Sequence, residues 1–389
     1  MATRLELAAE GRPTERADIR TPVTLLTGFL GSGKTTLLNR TLRDPSMART
    51  AVVINEFGEI SIDHALTTAS DDTIMVLENG CLCCTVFGDL VQTLNRLYYA
   101  REAQEIAFDQ VVIETSGLAE ASPILQAFLS EPTLEGLYRV GAIIATVDAV
   151  NAETTLMDHP VSVRQVALAD CILVTKLDLV RPEEREARET ALITRLRKFN
   201  RAALIVKADD PLVDPVQLML HSMADPAESS GAAKAWIDTA LAVGSSGTDC
   251  GETHDEGDHD GHAHPHHHDE SIASFSLIRE SALPREALQL LLASLEKHLG
   301  SNLLRVKGLV NVIEEPGRPA VIQGAQHLLH NLTWLPEWPD EDERTRIVFI
   351  TQGVPAGELE EMVTLLDRVA QRTAAARLRA GGLDWDQPI

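Results

Sequence analysis

Short apolar runs alternate with amphipathic stretches along the first half of the chain. Runs rich in Val, Ile, Leu and Ala are typical of strands that are buried on both faces of a sheet. They are Val23–Thr27, Ala51–Ile54, Thr73–Leu77, Gln110–Glu114, Val140–Val147, Cys171–Thr175 and Ala203–Val206. Helical spacing of apolar residues separates them, at Thr35–Leu42, Asp89–Ala100, Pro123–Leu129 and Pro182–Phe199. This alternation predicts an α/β fold with a doubly wound, mostly parallel sheet covered by helices.

The pattern changes beyond residue 222. Ser, Gly, Asp and His replace the apolar positions over residues 223–270, which predicts a linker. A second, smaller α/β domain is expected at 271–380, after a first domain at 21–222 and a disordered leader at 1–20. Its predicted strands are Ser274–Ile278, Leu303–Val306, Leu309–Val312, Ala320–Gln323 and Ile347–Ile350, and its predicted helices are Pro284–Leu299 and Gly357–Leu378.

A glycine-rich loop follows the first apolar run, and a helical pattern follows the loop. Glycines allow backbone N–H groups to surround an anion, and a helix N-terminus adds a partial positive charge at the same place. The segment Gly28–Thr35 therefore predicts a phosphate-binding P-loop, in which Lys34 reaches the β and γ phosphates and the Thr35 hydroxyl binds Mg²⁺. The nucleotide-binding residues expected here are Gly28, Gly31, Ser32, Gly33, Lys34, Thr35 and Thr36.

Two further segments come directly after buried strands and suit a nucleotide site. Glu114 ends one strand, where a carboxylate would hold Mg²⁺, and Gly117 lets the backbone approach the γ-phosphate. Lys176 and Asp178 follow another strand. The Asp178 carboxylate would accept hydrogen bonds from two guanine N–H groups, which adenine does not offer, and the stem of Lys176 would stack on the base. Thr175 stands where many GTPases have Asn, keeping a hydroxyl but no amide.

Cysteine usage points to a metal. Cys81, Cys83 and Cys84 lie within four residues after the third predicted strand, a layout that suits a soft or borderline ion such as Zn²⁺ better than disulfides. One loop does not easily wrap three sulfurs around an ion, so a site of two thiolates and a carboxylate is easier to build. The segment Asn55–His64, which follows the second strand, offers Glu59, Asp63 and His64 as possible oxygen and nitrogen ligands.

The linker carries a second group of candidate ligands. Imidazoles bind divalent ions loosely at neutral pH and release them on protonation. We therefore interpret this tract as a collector of metal ions, with a polar linker as the alternative. Its expected ligands are His254, His259, His262, His264, His266, His267 and His268.

Charge and hydropathy limit the partners and the location. The formal net charge of −24 disfavours nucleic acid and anionic membrane surfaces. The sequence has no run of about 18 apolar residues that would span a membrane, and residues 1–20 lack the apolar core of a signal peptide. The small number of cysteines and their clustering indicate a reducing environment. We expect a cytoplasmic protein that contacts neither nucleic acid nor membrane.

Taken together, these residues resemble the CobW-type metallochaperone GTPases, relatives of the nickel-insertion GTPases of urease and hydrogenase. The resemblance rests on the P-loop, Asn55–Asp63, the cysteine signature Cys81–Cys84, Glu114–Gly117 and the His-rich linker. It implies that GTP hydrolysis is coupled to delivery of Zn²⁺, Co²⁺ or Fe²⁺ to a client metalloprotein, and that the signature cysteines bind the ion near Glu59. It implies catalytic roles for Lys34, Thr35 and Glu114.

Two other functions remain open from the sequence. A P-loop ATPase or kinase would use the same phosphate loop, and a nucleotide-independent metal buffer or sensor would use the His-rich tract alone. The physiological metal, the client and the oligomeric state stay open as well, including a homodimer that depends on nucleotide or metal.

Overall fold

The computed structural model describes residues 20–55, 74–77, 85–220, 272–325, 328–329, 332–354 and 356–379. Within these residues the chain forms a parallel sheet flanked by helices and, C-terminal to it, a separate antiparallel sheet with two long helices. Four predicted segments lie outside the described residues, namely the leader up to residue 19, the linker, residues 56–63 and the cysteine signature. Among the described helices, none is long and apolar enough to cross a membrane.

The first sheet has seven strands in the described part of the chain, in the order β3-β2-β4-β1-β5-β6-β7. Every neighbouring pair is parallel, so all the carboxyl ends lie at one edge, as predicted. The strand bounds are β1 Thr21–Gly28, β2 Thr50–Asn55, β3 Ile74–Leu77, β4 Gln110–Thr115, β5 Tyr138–Asp148, β6 Cys171–Thr175 and β7 Leu204–Lys207.

Helices cover both faces of this sheet. On β1, Val23 and Leu25 contribute to one apolar core, whereas Leu26 contributes to the opposite core beside Leu37 and Leu38. The helices are α1 Lys34–Thr41, α2 Thr85–Glu102, α3 Ser122–Ser130, α4 Pro132–Leu137, α5 Ala152–Asp158, α6 Pro160–Leu168, α7 Arg185–Phe199 and α8 Pro215–Leu220. The sequence patterns did not predict the four short helices α4, α5, α6 and α8.

The C-terminal sheet runs in the order β11-β10-β9-β13-β8, with β12 paired to β10, and every pair is antiparallel. Helices α9 and α10 supply its apolar cover, with Leu288, Leu291 and Leu295 of α9 buried. The bounds are β8 Ile272–Arg279, α9 Arg285–Leu299, β9 Leu303–Val310, β10 Ala320–Ala325, β11 Leu328–Leu329, β12 Thr333–Trp334, β13 Thr345–Gln352 and α10 Ala356–Arg379.

One prediction in this domain is wrong. The segments Leu303–Val306 and Leu309–Val312 were expected to be two strands, but β9 runs unbroken from Leu303 to Val310. The two residues that look like an interruption, Lys307 and Gly308, are both buried inside the strand. A Cβ on Gly308 would lie 2.8 Å from the Arg346 carbonyl oxygen, so glycine is required for the close approach of β13.

The two domains meet at a buried carboxylate between α6 and β6. Asp170 accepts from Arg305 Nη2 at 2.6 Å and from Lys307 Nζ at 2.5 Å, and its other oxygen accepts from the Ile143 backbone N–H at 2.9 Å. Burial by itself would raise the pKa of Asp170, but the two cations and the hydrogen bonds lower it below its usual value. Leu304 and Ile350 of the C-terminal domain extend the core of the first domain at this contact.

Candidate functional site

The loop after β1 has the backbone of a phosphate cradle. Gly28, Gly31 and Gly33 have φ angles of 138°, 73° and 98°, which favour glycine over any residue with a Cβ. A Cβ on Gly28 would lie 2.4 Å from Thr146 Oγ1 and 2.8 Å from Ser32 Oγ. The loop leads directly into α1 at Lys34, so its backbone N–H groups and the helix N-terminus face the same space.

Lys34, Thr35 and Glu114 converge at the first turn of α1. Lys34 is buried and donates to the carbonyl oxygens of Gly28 at 2.8 Å and Phe29 at 3.2 Å. Thr35 Oγ1 donates to Glu114 Oε1 at 2.6 Å, and Glu114 is only 1% exposed. β1 and β4 are adjacent, with Leu26 opposite Glu114, which explains why residues 79 positions apart along the chain meet here.

Hydroxyl groups on strands β5 and β6 hold the P-loop by hydrogen bonds. Ser32 Oγ and Thr146 Oγ1 share a hydrogen bond of 2.6 Å. Thr175 Oγ1 donates to the Ser32 carbonyl oxygen at 2.8 Å, so the residue that replaces the more usual Asn uses its hydroxyl to hold the loop. The missing amide therefore does not leave the loop without support from β6.

Lys176 connects the loop to the end of β5. Its backbone is left-handed, with φ of 60°, and its Nζ donates to the Gly31 carbonyl oxygen at 2.6 Å and to Asp148 Oδ2 at 2.8 Å. A positive φ is uncommon outside glycine and costs of the order of 1 kcal/mol, a strain that is typical of functional loops. Burial would raise the pKa of Asp148, but the hydrogen bonds from Lys176, Asn151 and the Val150 N–H lower it, so the carboxylate is charged.

Asp178 and Thr36, two further predicted nucleotide ligands, are both exposed at this edge of the sheet. Asp178 lies in a single 3₁₀ turn, Leu177–Leu179, directly after Lys176. Asp178 is therefore accessible to a ligand.

The segment after Glu114 packs against the loop. A Cβ on Gly117 would lie 2.6 Å from the Leu30 Cα, so only glycine allows this contact. Gln165 on α6 is 1% exposed and donates through Nε2 to the carbonyl oxygens of Ala119 at 2.9 Å and Gly117 at 3.4 Å. The position of Gly117 is thus set from one side by the P-loop and from the other by α6.

A cavity of about 400 Å³ separates the P-loop from α5 and α6. Its lining includes Phe29 and His159, whose rings stack with centroids 4.5 Å apart, together with Asp148, Gln165 and Lys176. Residues 33–36 are not part of its lining. On this side the P-loop is therefore held by the stacking of Phe29 on His159 and by individual hydrogen bonds of Ser32 and Gly31.

The register of three neighbouring strands brings the ends of β2, β3 and β4 to one edge. Asn55 at the end of β2 pairs with Thr115 of β4 on one side and with Leu77 at the end of β3 on the other. The segments that begin after Asn55 and Leu77 contain Glu59 and the cysteine signature. The predicted metal ligands themselves lie outside the described residues, namely Glu59, Cys81, Cys83, Cys84, His254, His259, His262, His264, His266, His267 and His268.

Sequence reasoning missed three residues that the structure brings to this site. Asp148 had a detectable signal, because it follows the buried strand Val140–Val147 at the same edge as Glu114 and Asp178. Thr146 and Gln165 had none, because their importance comes from contacts with distant parts of the chain. In the described part of the chain, no group of three His, Cys, Asp or Glu side chains has the geometry of a metal site.

A parallel sheet, a glycine loop that opens a helix, and a Thr–Glu pair beside that loop define the class of P-loop nucleoside triphosphatases. Comparison with known families makes this more specific. The family model described as "CobW/HypB/UreG, nucleotide-binding domain" matches residues 22–207, and the model described as "Cobalamin synthesis protein cobW C-terminal domain" matches residues 272–365. The chain belongs to the CobW/HypB/UreG family, with the C-terminal domain of the CobW branch.

Individual relatives agree with this assignment. The zinc chaperone YjiA of Escherichia coli is 33% identical over 347 residues, which cover 87% of this chain and 96% of the relative. A zinc-bound crystal structure of the E. coli YjiA GTPase has a TM-score of 0.62 at 26% identity and covers 89% of this chain and 99% of that chain. The zinc chaperone CobW of Pseudomonas aeruginosa is 38% identical over 168 residues, 41% of this chain and 43% of the relative.

Proposed function

We propose that this protein is a GTP-hydrolysing metallochaperone that binds Zn²⁺ as its cargo and delivers it to a client metalloprotein under the control of GTP. Co²⁺ and Fe²⁺ are the other ions that its predicted ligands suit. The observation that carries the proposal is the strand register Thr115–Asn55–Leu77. Adjacent strands are about 4.8 Å apart, so Asn55 and Leu77, the last described residues before the Glu59 and cysteine segments, lie within about 10 Å of Thr115.

The P-loop geometry supports nucleotide binding. The donor set at the first turn of α1 consists of a hydroxyl and a buried carboxylate, both hard oxygen ligands of the kind that Mg²⁺ prefers. Thr35 and Glu114 would hold this ion, which neutralises charge on the phosphate oxygens when it is bound. Lys34 is the first residue of α1, directly after the glycine loop, and its ammonium group would exchange the carbonyl oxygens of Gly28 and Phe29 for phosphate oxygens.

Guanine selectivity is assigned to Asp178, the exposed carboxylate beside the loop. The left-handed Lys176 fixes the direction in which the chain enters this turn, and its side-chain stem provides a surface on which a base would stack. Thr175 supports the same arrangement by its hydrogen bond to Ser32. The three residues together act as the base-recognition segment in the proposal.

In this proposal, GTP controls the zinc affinity because one segment would contact both the nucleotide site and the zinc site. In the GTP state, residues 55–63 would order against the γ-phosphate and bring Glu59 toward Cys81, Cys83 and Cys84. Hydrolysis would relax the segment and release the ion to a docked client, while the His-rich tract collects ions beforehand. A tenfold change in zinc affinity requires about 1.4 kcal/mol of coupling between the sites. The names of the relatives support zinc as the cargo, and we propose a cytoplasmic location.

Zinc delivery to an apo-acceptor tests the proposal. The Lys34→Ala variant removes the cation expected on the phosphates, and Lys198→Ala removes an exposed lysine of α7 as a matched control. We expect GTP-dependent zinc transfer to collapse in Lys34→Ala and to persist in Lys198→Ala. Transfer that is equal in both variants would identify a metal buffer that works without nucleotide and would contradict the proposal.

Nucleotide competition tests the choice of GTP. We expect GDP to displace a bound fluorescent GTP analogue at concentrations at which ADP does not. Equal displacement by the two nucleotides would contradict the role of Asp178 and identify an ATPase or kinase that uses the same loop.

A further inference from the structure

Helix α6 touches both the loop that follows Glu114 and the C-terminal domain. Its residue Gln165 commits Nε2 to the carbonyl oxygens of Gly117 and Ala119. Its neighbour Arg164 donates through Nη1 to Glu120 Oε1 at 2.5 Å and through Nε to Gln352 Oε1 at 3.1 Å. Gln352 is the last residue of β13 in the C-terminal domain. One guanidinium group therefore joins the two domains and the loop.

The packing of α6 makes it a stiff connection. Ala167 and Leu168 are fully buried in the core that also contains Leu304 and Ile350 of the C-terminal domain. Two residues after the helix, Asp170 binds Arg305 and Lys307 of β9. If α6 is displaced, it therefore pushes on buried side chains of the C-terminal domain, because a closely packed interior has low compressibility and transmits strain.

The other end of the connection lies at the P-loop. Gly117 is in contact with the backbone of Leu30 without room for a Cβ, so a shift of one changes the position of the other. The contacts run from Leu30 through Gly117 to Gln165, and from Arg164 to Gln352. Glu120, which belongs to the same loop as Gly117, is held by the same Arg164.

We propose that α6 transmits the nucleotide state of the P-loop to the C-terminal domain, with Gln165 and Arg164 as its positioning residues. This inference rests on the proposed function, because it requires Gly117 to respond to the γ-phosphate. Gln165 sets the position of Gly117, and Arg164 couples that loop to β13. The C-terminal domain would in this way present a different surface to a client before and after hydrolysis.

Hydrogen exchange of the full chain tests the inference. We measure the exchange of peptides covering residues 345–354 with GDP and with a non-hydrolysable GTP analogue. In the wild type, the exchange of these amides should differ by about threefold or more between the two nucleotides, because the local opening free energy of β13 changes. In Arg164→Ala the difference should disappear while GTP affinity stays within about twofold of wild type.

Three further variants make the test specific. Arg188→Ala removes an Arg–Glu pair between α7 and α5 within the first domain and should keep the wild-type difference. Arg164→Lys keeps the charge, but a single ammonium group does not reproduce the two separate guanidinium hydrogen bonds to Glu120 and Gln352. This variant should therefore also lose the difference in exchange between the two nucleotide states. Gln352→Ala removes the partner on β13 and should match Arg164→Ala, even if the arginine variants fold poorly.

Two outcomes would overturn the inference and are distinguishable from failure of the proposed function. If the wild type binds and hydrolyses GTP but β13 exchanges equally in both states, the connection through α6 is wrong. The same holds if the difference persists in Gln352→Ala and Arg164→Ala, or if Arg164→Lys restores it fully. If the wild type binds no GTP, the proposed function itself fails.

Discussion

The buried carboxylate between the two domains gives a prediction with a magnitude that can be worked out. The Asp170 side chain is 2% exposed, and the side chains of its partners Arg305 and Lys307 are 8% and 4% exposed. In Asp170→Asn the shape and the acceptor for the Ile143 N–H remain, but two buried cations lose their counter-charge. Removal of one partner from a buried ion pair typically costs about 3–5 kcal/mol, so we expect the free energy of unfolding to fall by at least about 3 kcal/mol.

Urea unfolding followed by circular dichroism measures this loss. The matched control is Asp109→Asn, because Asp109 pairs with Arg49 at a site where both side chains are more than half exposed. Exposed ion pairs contribute little, so the control should unfold close to the wild-type midpoint. Equal midpoints for the two variants, or a loss well below 1 kcal/mol in Asp170→Asn, would refute the reasoning about the domain contact.

The same carboxylate predicts the response of stability to acid. The pKa of Asp170 in the folded protein is lower than its unfolded value of about 3.9. Its contribution is therefore fully present above that unfolded value and is lost as the pH falls through the lower folded pKa. The wild type should lose its stability advantage over Asp170→Asn as the pH is lowered below about 4. If the stability difference between the wild type and Asp170→Asn instead grew as the pH fell, the predicted direction of the pH dependence would be wrong.

Three substitutions at the proposed nucleotide site are expected to separate the contributions of the Gly28 backbone, the Thr175 hydroxyl and the Asp178 carboxylate. Gly28→Ala places a Cβ 2.4 Å from Thr146 Oγ1 at a positive φ and should abolish GTP binding in a titration of the folded variant, whereas a wild-type affinity would mean that the loop rearranges freely. Thr175→Val removes the hydroxyl that holds Ser32 and should weaken GTP about tenfold, by the roughly 1.4 kcal/mol of a well-placed hydrogen bond; unchanged affinity would show that this bond does not support the loop. Asp178→Asn should remove the preference for GDP over ADP in competition, and a retained preference would locate base recognition elsewhere.

The strands of the first domain were predictable because each is a compact apolar run. Leu25 and Leu26 face opposite cores, so the strand is buried on both sides and contains no charged residue that would obscure its limits. The P-loop and the Glu114 pairing followed from the same pattern, since parallel strands end at one edge of the sheet. The fold of this domain and its phosphate loop could therefore be predicted from local sequence patterns alone.

Elements whose burial depends on distant partners were not predictable. Helix α6 buries the polar side chains of Ser162 and Gln165, so it shows no apolar periodicity. In the sequence, the charge of Lys307 makes a strand appear to end there. In the structure Lys307 is buried within the strand, because Asp170, 137 residues earlier in the chain, neutralises it. Polar residues at buried positions are accepted only when the fold supplies their partners, and a sequence pattern does not contain that information.

The central claim is that nucleotide and zinc occupancy are energetically linked through the edge at which β2, β3 and β4 end. The most direct test is the zinc dissociation constant of the full chain, measured by competition with a chelator in the presence of GDP and of a non-hydrolysable GTP analogue. The account predicts zinc binding at least about tenfold tighter with the GTP analogue, and GTP binding tightened by the same factor when zinc is present. Equal zinc affinities in the two nucleotide states would contradict it.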